Sequence, residues 1–164
     1  MDKAVKETLA PKGVLRAGIN LSNFLLVSGK LLDGTPEGIS PDLAKRIAKE
    51  IDASCEFVPF DRPGELADAV DKDLWDIGNI AFEPERANTI SFSNPYALIE
   101  ANFLINKNSN FNINQDIDKP GVRIVVAERS AYDLWLTDNL INAKIKRVSS
   151  IQESHDVFNS NKVD

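Results

Sequence analysis

Short apolar runs alternate along this chain with polar turns and with segments in which apolar residues recur at helical spacing. Val14 to Asn20, Cys55 to Pro59 and Ile77 to Ile80 are runs of strand length, too short for helices. Between the first two runs, from Leu43 to Ile51, apolar residues recur every four positions, which predicts an amphipathic helix with one buried face. Together with a short predicted helix from Glu65 to Val70, this order predicts an α/β fold with a parallel sheet and right-handed crossovers.

Capping residues predict where the helices begin. Ser40 followed by Pro41 predicts an N-cap and a first helical position. In the second half of the chain, Val122 to Ala127 is a continuous apolar strand, and Ser130 with Asp133 three residues later predicts the start of the next helix. The remaining predicted elements are a helix at Lys3 to Leu9, strands at Thr89 to Phe92 and Lys144 to Val148, an extended run at Tyr96 to Asn106, and a capping box of Ser150 with Glu153.

Composition narrows the class of protein. The 164 residues suffice for one average domain or two small lobes, and 43% hydrophobic with 27% charged residues is typical of a globular protein. A net charge of −6 without a basic run argues against nucleic acid as a partner. The first 13 residues carry charges and no apolar centre, so they do not resemble a signal peptide. We therefore expect a processed or engineered form, or a chain that stays in the cytosol.

Two residues with reactive side chains have ordinary explanations. Cys55 is the single cysteine, which excludes an internal disulfide, and its neighbours are typical of a strand rather than of a nucleophile site. His155 is the single histidine, with no acidic residue or cysteine at metal-ligand spacing and no serine in a nucleophile motif. We therefore predict no metal, no cofactor and no catalytic residue.

The stretch from Trp75 to Tyr96, WDIGNIAFEPERANTISFSNPY, is the most informative part of the chain. Ligands of open α/β sheets bind beyond the carboxyl ends of the strands, and Arg86 follows the predicted strand that ends at Ile80. The guanidinium fork donates two parallel hydrogen bonds and therefore suits a carboxylate. Spacing alone equally allows a surface arginine paired with Glu83 or Glu85.

This stretch resembles a signature of the type II periplasmic solute-binding proteins, the amino-acid-binding family of ABC transporters. The signature is an aspartate, a short apolar strand, Gly-x-Ser/Thr-x-Thr-x-Glu-Arg, a phenylalanine and Ser-x-Pro-Tyr. The resemblance implies that Arg86 holds the α-carboxylate of the ligand. The matching residues are Asp76, Pro84, Glu85, Arg86, Phe92, Ser93, Pro95 and Tyr96.

Further site residues are implied by the same resemblance. Asn79 stands at the glycine position and Ala81 at the first Ser/Thr position, where Ala81 removes a hydroxyl that helps hold the carboxylate. Glu83 stands at the second Thr position. The family's first strand leads to a loop that lines the cleft, which implies a role for Asn20 at the strand end. In that loop, Phe24 either covers the ligand or packs into the core.

A second carboxylate contact is implied by residues 122–136. They resemble the family's strand–Gly-Ser-Ala-Tyr-Asp-Leu–helix turn, whose amides meet the ligand from the second lobe. The backbone N–H groups of Ser130, Ala131 and Tyr132 are therefore expected to be free at a helix N-terminus, which favours anions. Helix capping alone equally accounts for Ser130. Arg129 replaces the family's glycine, which adds a cation and loses conformational freedom at positive φ.

The resemblance covers Leu15 to Asp164 and implies a two-lobed type II periplasmic-binding-protein fold, with parallel or mixed sheets flanked by helices. Residues 1–106 are predicted to form the first lobe with its outgoing hinge strand, and residues 107–164 part of the second lobe. The family continues with a strand that carries an acidic residue for the ligand ammonium. Its C-terminal part is not in this sequence, so we expect uncovered apolar surface and possible self-association.

Two classes of function compete at this point. The favoured one, implied by the resemblance, is a periplasmic substrate-binding component that binds a small carboxylate-bearing metabolite and partners an ABC permease in the membrane. The alternative is an enzyme similar to the cyclohexadienyl or prephenate dehydratases, which resemble these binding proteins in fold. Its candidate acids are Glu83, Glu128 and Asp133. A partial domain without a ligand site is a third possibility.

Overall fold

A computed structural model describes residues 3–164. The chain forms two compact units, the first ending at Ile90 and the second spanning Ser91–Asp164. Each unit contains parallel strands joined through helices, which confirms the predicted α/β class. The lobe boundary near Asn106 stays a prediction.

The first unit is organised around one central strand. Its three-stranded parallel sheet has the order β4 (Ser54–Phe60), β1 (Val14–Asn20) and β5 (Ile77–Asn79), so β1 is hydrogen-bonded on both edges. The strand predicted at Val14 to Asn20 is confirmed, and a two-stranded antiparallel hairpin in the loop after it was not predicted. The elements are α1 Lys3–Leu9, β1 Val14–Asn20, β2 Gly29–Lys30, β3 Pro36–Glu37, α2 Ile39–Glu50, β4 Ser54–Phe60, α3 Pro63–Asp68 and β5 Ile77–Asn79.

The core of the first unit lies against β1. Leu15, Ala17 and Ile19 are completely buried, as expected for a central parallel strand that is covered on its faces. Ala44 and Ala48 of α2 are buried in the same clusters. The predicted amphipathic helix therefore packs on the sheet through small residues.

An arginine–aspartate pair joins β1 to the residue before β5. Arg16 donates its backbone N–H to Asp76 Oδ2 at 2.7 Å, and Asp76 returns its own N–H to the Arg16 carbonyl at 2.8 Å. The Arg16 guanidinium donates to both carboxylate oxygens of Asp76, at 3.1 and 2.6 Å, and also contacts the exposed Asp73. We call the Arg16–Asp76 arrangement the first clamp. It combines charge with backbone bonds and fixes the point where β5 begins.

The start of α2 differs from the prediction. Its N-cap is Gly38, with a φ of 133°, and Ser40 lies inside the first turn rather than at the cap. A Cβ at position 38 would lie 2.6 Å from the Leu26 carbonyl oxygen. Ser40 instead donates its backbone N–H to that carbonyl at 3.0 Å. The close approach of the preceding loop, which local sequence does not reveal, moves the cap from Ser40 to the glycine.

The second unit has a two-stranded parallel sheet that pairs β6 (Arg123–Ala127) with β7 (Lys144–Val148). Both predicted N-caps are confirmed: Ser130 Oγ accepts the Asp133 N–H and Ser150 Oγ accepts the Glu153 N–H. The sheet and helices occur in the predicted order. The elements are β6 Arg123–Ala127, α4 Ala131–Asn139, β7 Lys144–Val148 and α5 Ile151–Asn159.

Two predicted strands are wrong. Thr89 to Phe92 comes after a single 3-10 turn, Arg86–Asn88, and forms no ladder. Tyr96 to Asn106, predicted as a hinge strand, is irregular, and its Leu98 is 89% exposed. Alternating apolar residues make a strand only where a neighbour pairs its N–H and C=O groups, and among the described residues no strand pairs with this segment.

The first clamp gives a prediction for stability. Burial raises the pKa of the Asp76 carboxyl, but hydrogen bonds from the side chain and backbone of Arg16 outweigh burial, so its pKa lies below the usual value. We expect Asp76→Asn to lower the free energy of unfolding at pH 7 by about 1–3 kcal/mol, because charge-assisted bonds to a mostly buried carboxylate are lost. Urea denaturation measures the difference.

The control is Asp73→Asn, because Asp73 is the exposed partner of the same arginine and an exposed pair contributes at most about 1 kcal/mol. The pKa of Asp76 is lower in the folded state than in the unfolded state, so its carboxylate stabilises the folded protein above the unfolded pKa of about 3.9. This contribution to stability is lost as the pH falls through the folded pKa. The gap between wild type and Asp76→Asn should therefore shrink below about pH 4. An equal gap in acid and at neutral pH would contradict this.

Candidate functional site

Arg86 is a buried cation in the turn after β5. The residue is only 5% exposed, so it is not a surface arginine. Its Nη1 donates to the Ala81 carbonyl at 3.0 Å, across the turn. The Arg86 carbonyl in turn accepts the Ile90 N–H at 2.9 Å. The turn thus holds the guanidinium in a fixed position beyond the carboxyl end of the strand.

Asn79 and Ala81 shape the same turn. Asn79 is the last residue of β5, and its Nδ2 donates to the Ser40 carbonyl in the first turn of α2 at 3.1 Å. Ala81 contributes its backbone carbonyl to Arg86. The two residues therefore have clear structural contacts, and their predicted contact with a ligand stays a prediction.

Asn20 lies at the same carboxyl edge of the sheet as Asn79. The register pairs Ile19 with Asn79, so Asn20 lies directly beside the end of β5. Asn20 is buried, and its Oδ1 accepts the backbone N–H of Ser22 at 3.1 Å and the Ser22 hydroxyl at 2.7 Å. Its side chain thus turns the chain into the loop that carries Phe24.

Phe24 does not pack into a core. It is 66% exposed, so of the two arrangements open from the sequence, packing inside is wrong. Asn23, one residue earlier, organises the loop: its carbonyl accepts the N–H groups of Leu26 and Val27. The loop therefore has internal order while it presents an exposed aromatic ring.

In the second unit, β6 leads into a tight corner at the start of α4. Ser130 Oγ donates to the Ala127 carbonyl at 2.7 Å and accepts the Asp133 N–H at 3.2 Å. The Ser130 N–H also contacts the Ala127 carbonyl, at 3.4 Å, so the expectation that this amide is free is wrong. The amides of Ala131 and Tyr132 have no hydrogen-bond acceptor among residues 3–164.

Asp133 fixes this corner electrostatically. It is 4% exposed, and its Oδ2 accepts the backbone N–H of Arg129 at 2.8 Å. Its Oδ1 accepts Nε of Arg147 at 2.8 Å, and Arg147 Nη2 donates to Thr137 Oγ1 at 2.7 Å. The carboxylate thus accepts the N–H of the residue before Ser130, whereas a capping box would place this bond at the Ser130 N–H.

The corner retains a left-handed residue although the family's glycine is absent. Arg129 has a φ of 57°, which an arginine adopts at a cost of about 1–3 kcal/mol. The bond from its N–H to the buried Asp133 carboxylate offsets part of this cost. Arg147, which supports that carboxylate from β7, was missed by the sequence analysis, because strand register is not written in local sequence.

Two negative findings concern the described part of the chain. Within residues 3–164, no three histidine, cysteine or acidic side chains are grouped so that they could hold a metal ion. In the same range, no helix combines the length and apolar character that crossing a membrane requires.

Comparison with protein families gives one match. The family model for bacterial extracellular solute-binding proteins, family 3, matches residues 28–161. This range includes the Arg86 turn and the Ser130 corner. A search of curated proteins found no match.

Solved structures share the fold. An ancestral amino acid-binding protein, a precursor of cyclohexadienyl dehydratase, is 26% identical with a TM-score of 0.78, over 98% of this chain and 71% of that one. An ABC-transporter binding component from Wolinella succinogenes, complexed with lysine, is 22% identical with a TM-score of 0.72, over 93% and 66%. The cysteine-binding protein from Campylobacter jejuni is 21% identical with a TM-score of 0.70, over 100% and 66%. This chain thus spans about two thirds of their lengths.

We expect the Asp133–Arg147 pair to stabilise the corner at the start of α4. We expect Arg147→Met to lower the free energy of unfolding by about 1–3 kcal/mol, because it leaves a buried carboxylate without its cationic partner. Chemical denaturation measures the loss. Arg147→Lys, which keeps the charge but not the planar guanidinium, should lose less.

The double variant Asp133→Asn/Arg147→Met provides the decisive control. Because it removes the buried charge together with its partner, it should be more stable than Arg147→Met alone. Additive losses from the two substitutions would show that the pair is not coupled.

Proposed function

Because this chain belongs to the bacterial extracellular solute-binding proteins of family 3, we propose that it binds a small carboxylate-bearing metabolite, an amino acid or a related organic anion, for an ABC permease in the membrane. The observation that carries the proposal is the buried Arg86 guanidinium beyond the carboxyl end of β5. We further propose a periplasmic location, in agreement with the extracellular family.

Arg86 has the chemistry of a carboxylate anchor. A guanidinium presents its N–H donors in a planar fork, and Arg86 Nη1 donates to the Ala81 carbonyl at 3.0 Å. A carboxylate accepts two parallel bonds from such a fork and supplies the opposite charge. Because the turn holds the side chain in place, little conformational entropy is lost when a ligand binds.

The Ser130 corner is a candidate anion contact within the second unit. The amides of Ala131 and Tyr132 open α4, where the helix dipole favours a negative charge. Arg129, directly before the cap, adds positive charge to the corner. The buried Asp133 would oppose an anion here, but Arg147 neutralises it at 2.8 Å.

Relatives support the ligand class. The Wolinella succinogenes structure contains lysine, and the Campylobacter jejuni protein is a cysteine-binding protein. Both ligands carry an α-carboxylate, the group that Arg86 suits. At 21–22% identity these structures establish the fold alone, so the ligand class is a proposal for this chain.

The dehydratase alternative is less well supported. Of its three candidate acids, Asp133 is buried, and both of its oxygens accept hydrogen bonds, from Arg129 and Arg147. These bonds engage Asp133 in the structure of the corner. The dehydratase named among the structural relatives is a descendant of an amino acid-binding protein. Reversible binding requires no catalytic group and is therefore our preferred function.

Arg86 provides the test of this function. We expect titration calorimetry of the 164-residue protein with lysine, arginine, cysteine, glutamine and succinate to reveal binding of at least one carboxylate. Arg86→Ala should then weaken that binding by about 2–5 kcal/mol, because a buried charge pair is lost. Arg86→Lys, which keeps the charge without the fork, should weaken it less.

Arg62→Ala is the matched control. Arg62 also lies just after a strand of the first unit, but it is more exposed and its Nε bonds to Glu65 at 3.1 Å. We expect this variant to bind like the wild type. Thermal melts of both variants test whether each is still folded. Equal affinity of the folded Arg86→Ala protein for the bound carboxylate would reject the anchor, and no binding by the wild type would reject the ligand class.

A further inference from the structure

Asn20 is a buried polar residue at the carboxyl end of β1, and its side chain has a fixed orientation. The residue is 9% exposed, and its Oδ1 accepts the Ser22 N–H at 3.1 Å and the Ser22 hydroxyl at 2.7 Å. A backbone N–H can only donate, so the side-chain atom that faces it is the oxygen of the amide and not the nitrogen. Ser22 therefore fixes the orientation of the Asn20 amide, with Nδ2 on the side away from Ser22.

The nitrogen of this amide has no partner in the described part of the chain. Asn20 Nδ2 carries two N–H donors, and neither has an acceptor among residues 3–164. Buried polar side chains are nearly always satisfied, so an unpaired donor at this position requires an explanation. Within the same residues Ser109 Oγ alone is both enclosed and unpaired, so Asn20 Nδ2 reaches the protein surface. A ligand oxygen can therefore pair the donor that the fold leaves unpaired.

Asn20 lies at the same edge of the first unit as the Arg86 turn. Ile19 pairs with Asn79 in the ladder of β1 and β5, and neighbouring strands lie about 4.8 Å apart. The Arg86 guanidinium bonds to the Ala81 carbonyl, two residues beyond the end of β5. A small metabolite whose carboxylate is held at Arg86 can therefore reach the end of β1.

The charges beside Asn20 do not form a site for a cation. Asn20 pairs with Phe60 at the end of β4, and the connection to α3 then contributes Asp61, Arg62 and Glu65. Arg62 pairs with Glu65 at 3.0 Å. Asp61 is exposed, so water screens its charge. The buried group that a ligand meets at the end of β1 is thus a neutral donor and not a carboxylate.

We propose that Asn20 selects ligands whose second polar group is a hydrogen-bond acceptor, such as a carboxamide or a second carboxylate, over ligands that carry an ammonium or guanidinium group there. Ser22 is a positioning residue, because its N–H and hydroxyl hold the amide so that Nδ2 meets the ligand. A cationic group has only donors, so against Asn20 it places donors opposite donors. This inference rests on the proposed function and narrows its ligand class.

Titration calorimetry of the 164-residue protein with two groups of carboxylates measures this selectivity. The acceptor group is glutamine, glutamate and succinate, and the cationic group is lysine and arginine. We expect the tightest acceptor ligand to bind at least about tenfold more tightly than either cationic ligand, because a cation leaves the Asn20 donors unpaired. Lysine or arginine binding as tightly as the best acceptor ligand would overturn this inference and leave the Arg86 anchor intact. No binding in either group would reject the proposed function and this inference with it.

Asn20→Asp reverses the polarity of the side chain with almost no change in its shape. One carboxylate oxygen can keep both bonds from Ser22, and the other replaces the N–H donors with a charged acceptor. We expect the ratio of the affinities for the best acceptor ligand and for lysine to fall at least about tenfold relative to the wild type.

Asp61→Asn is the matched control for charge. It changes the net charge by one unit in the opposite direction, at an exposed residue that follows the partner of Asn20 in β4. We expect the same affinity ratio to stay within about twofold of the wild type, because an exposed charge is screened. Shifts of equal size and opposite sign in the two variants would overturn the inference, since net charge and not contact with Asn20 would then set the selectivity.

Ser22→Ala tests the positioning role and decides the matter if Asn20→Asp does not fold. It removes the hydroxyl bond at 2.7 Å and keeps the N–H bond, so the amide is held less firmly. We expect the affinity ratio to fall by about two- to tenfold, which is the net contribution of one neutral hydrogen bond, while Tm stays close to that of the wild type. An unchanged ratio in the folded Ser22→Ala protein would overturn the role of Ser22, and an unchanged ratio in folded Asn20→Asp would overturn the selection by Asn20.

Discussion

The first clamp is the interaction on which the candidate site depends. Strand β5 has only three residues, Ile77–Asn79, so a short ladder to β1 is all that otherwise holds it. Four hydrogen bonds between Arg16 and Asp76 fix its first position, and two of them are donated by backbone N–H groups, which determine register. The turn that carries Arg86 follows β5 after the connecting residues 80–85. The position of the buried guanidinium is therefore set at the opposite end of the strand.

Groups that stabilise the fold lie at the amino ends of the strands, and the candidate site residues lie at the carboxyl ends. At the amino ends, the Arg16–Asp76 pair ties β1 to the start of β5 and uses its charges for structure. At the carboxyl ends lie polar groups, Asn20 and Asn79 in the first unit and the Ala131 and Tyr132 amides in the second. The division is physical, since a helix that follows a parallel strand begins near the carboxyl edge of the sheet, where its first backbone N–H groups are not bonded within the helix.

The sequence predicted correctly those strands and helix caps that are determined by neighbouring residues in the chain. The strand Val14–Asn20 and the cap at Ser130 result from apolar runs and capping chemistry, and both are confirmed. Arg147 was missed because its contact with Asp133 depends on the register of two strands. Arg86 was found through the family signature, whereas its burial and its bond to Ala81 are visible only in the structure.

The errors have the same origin. The cap at Gly38 depends on the approach of Leu26, from the loop that precedes the helix, and the predicted strand at 96–106 needed a partner that the described residues do not provide. Hydrogen exchange in Arg16→Met tests the central claim most directly. Amides of Ile77–Asn79 and of Ile90, which bonds to the Arg86 carbonyl, should lose protection while β4 keeps its own. Unchanged protection in β5, or an equal loss in β4, would contradict the account.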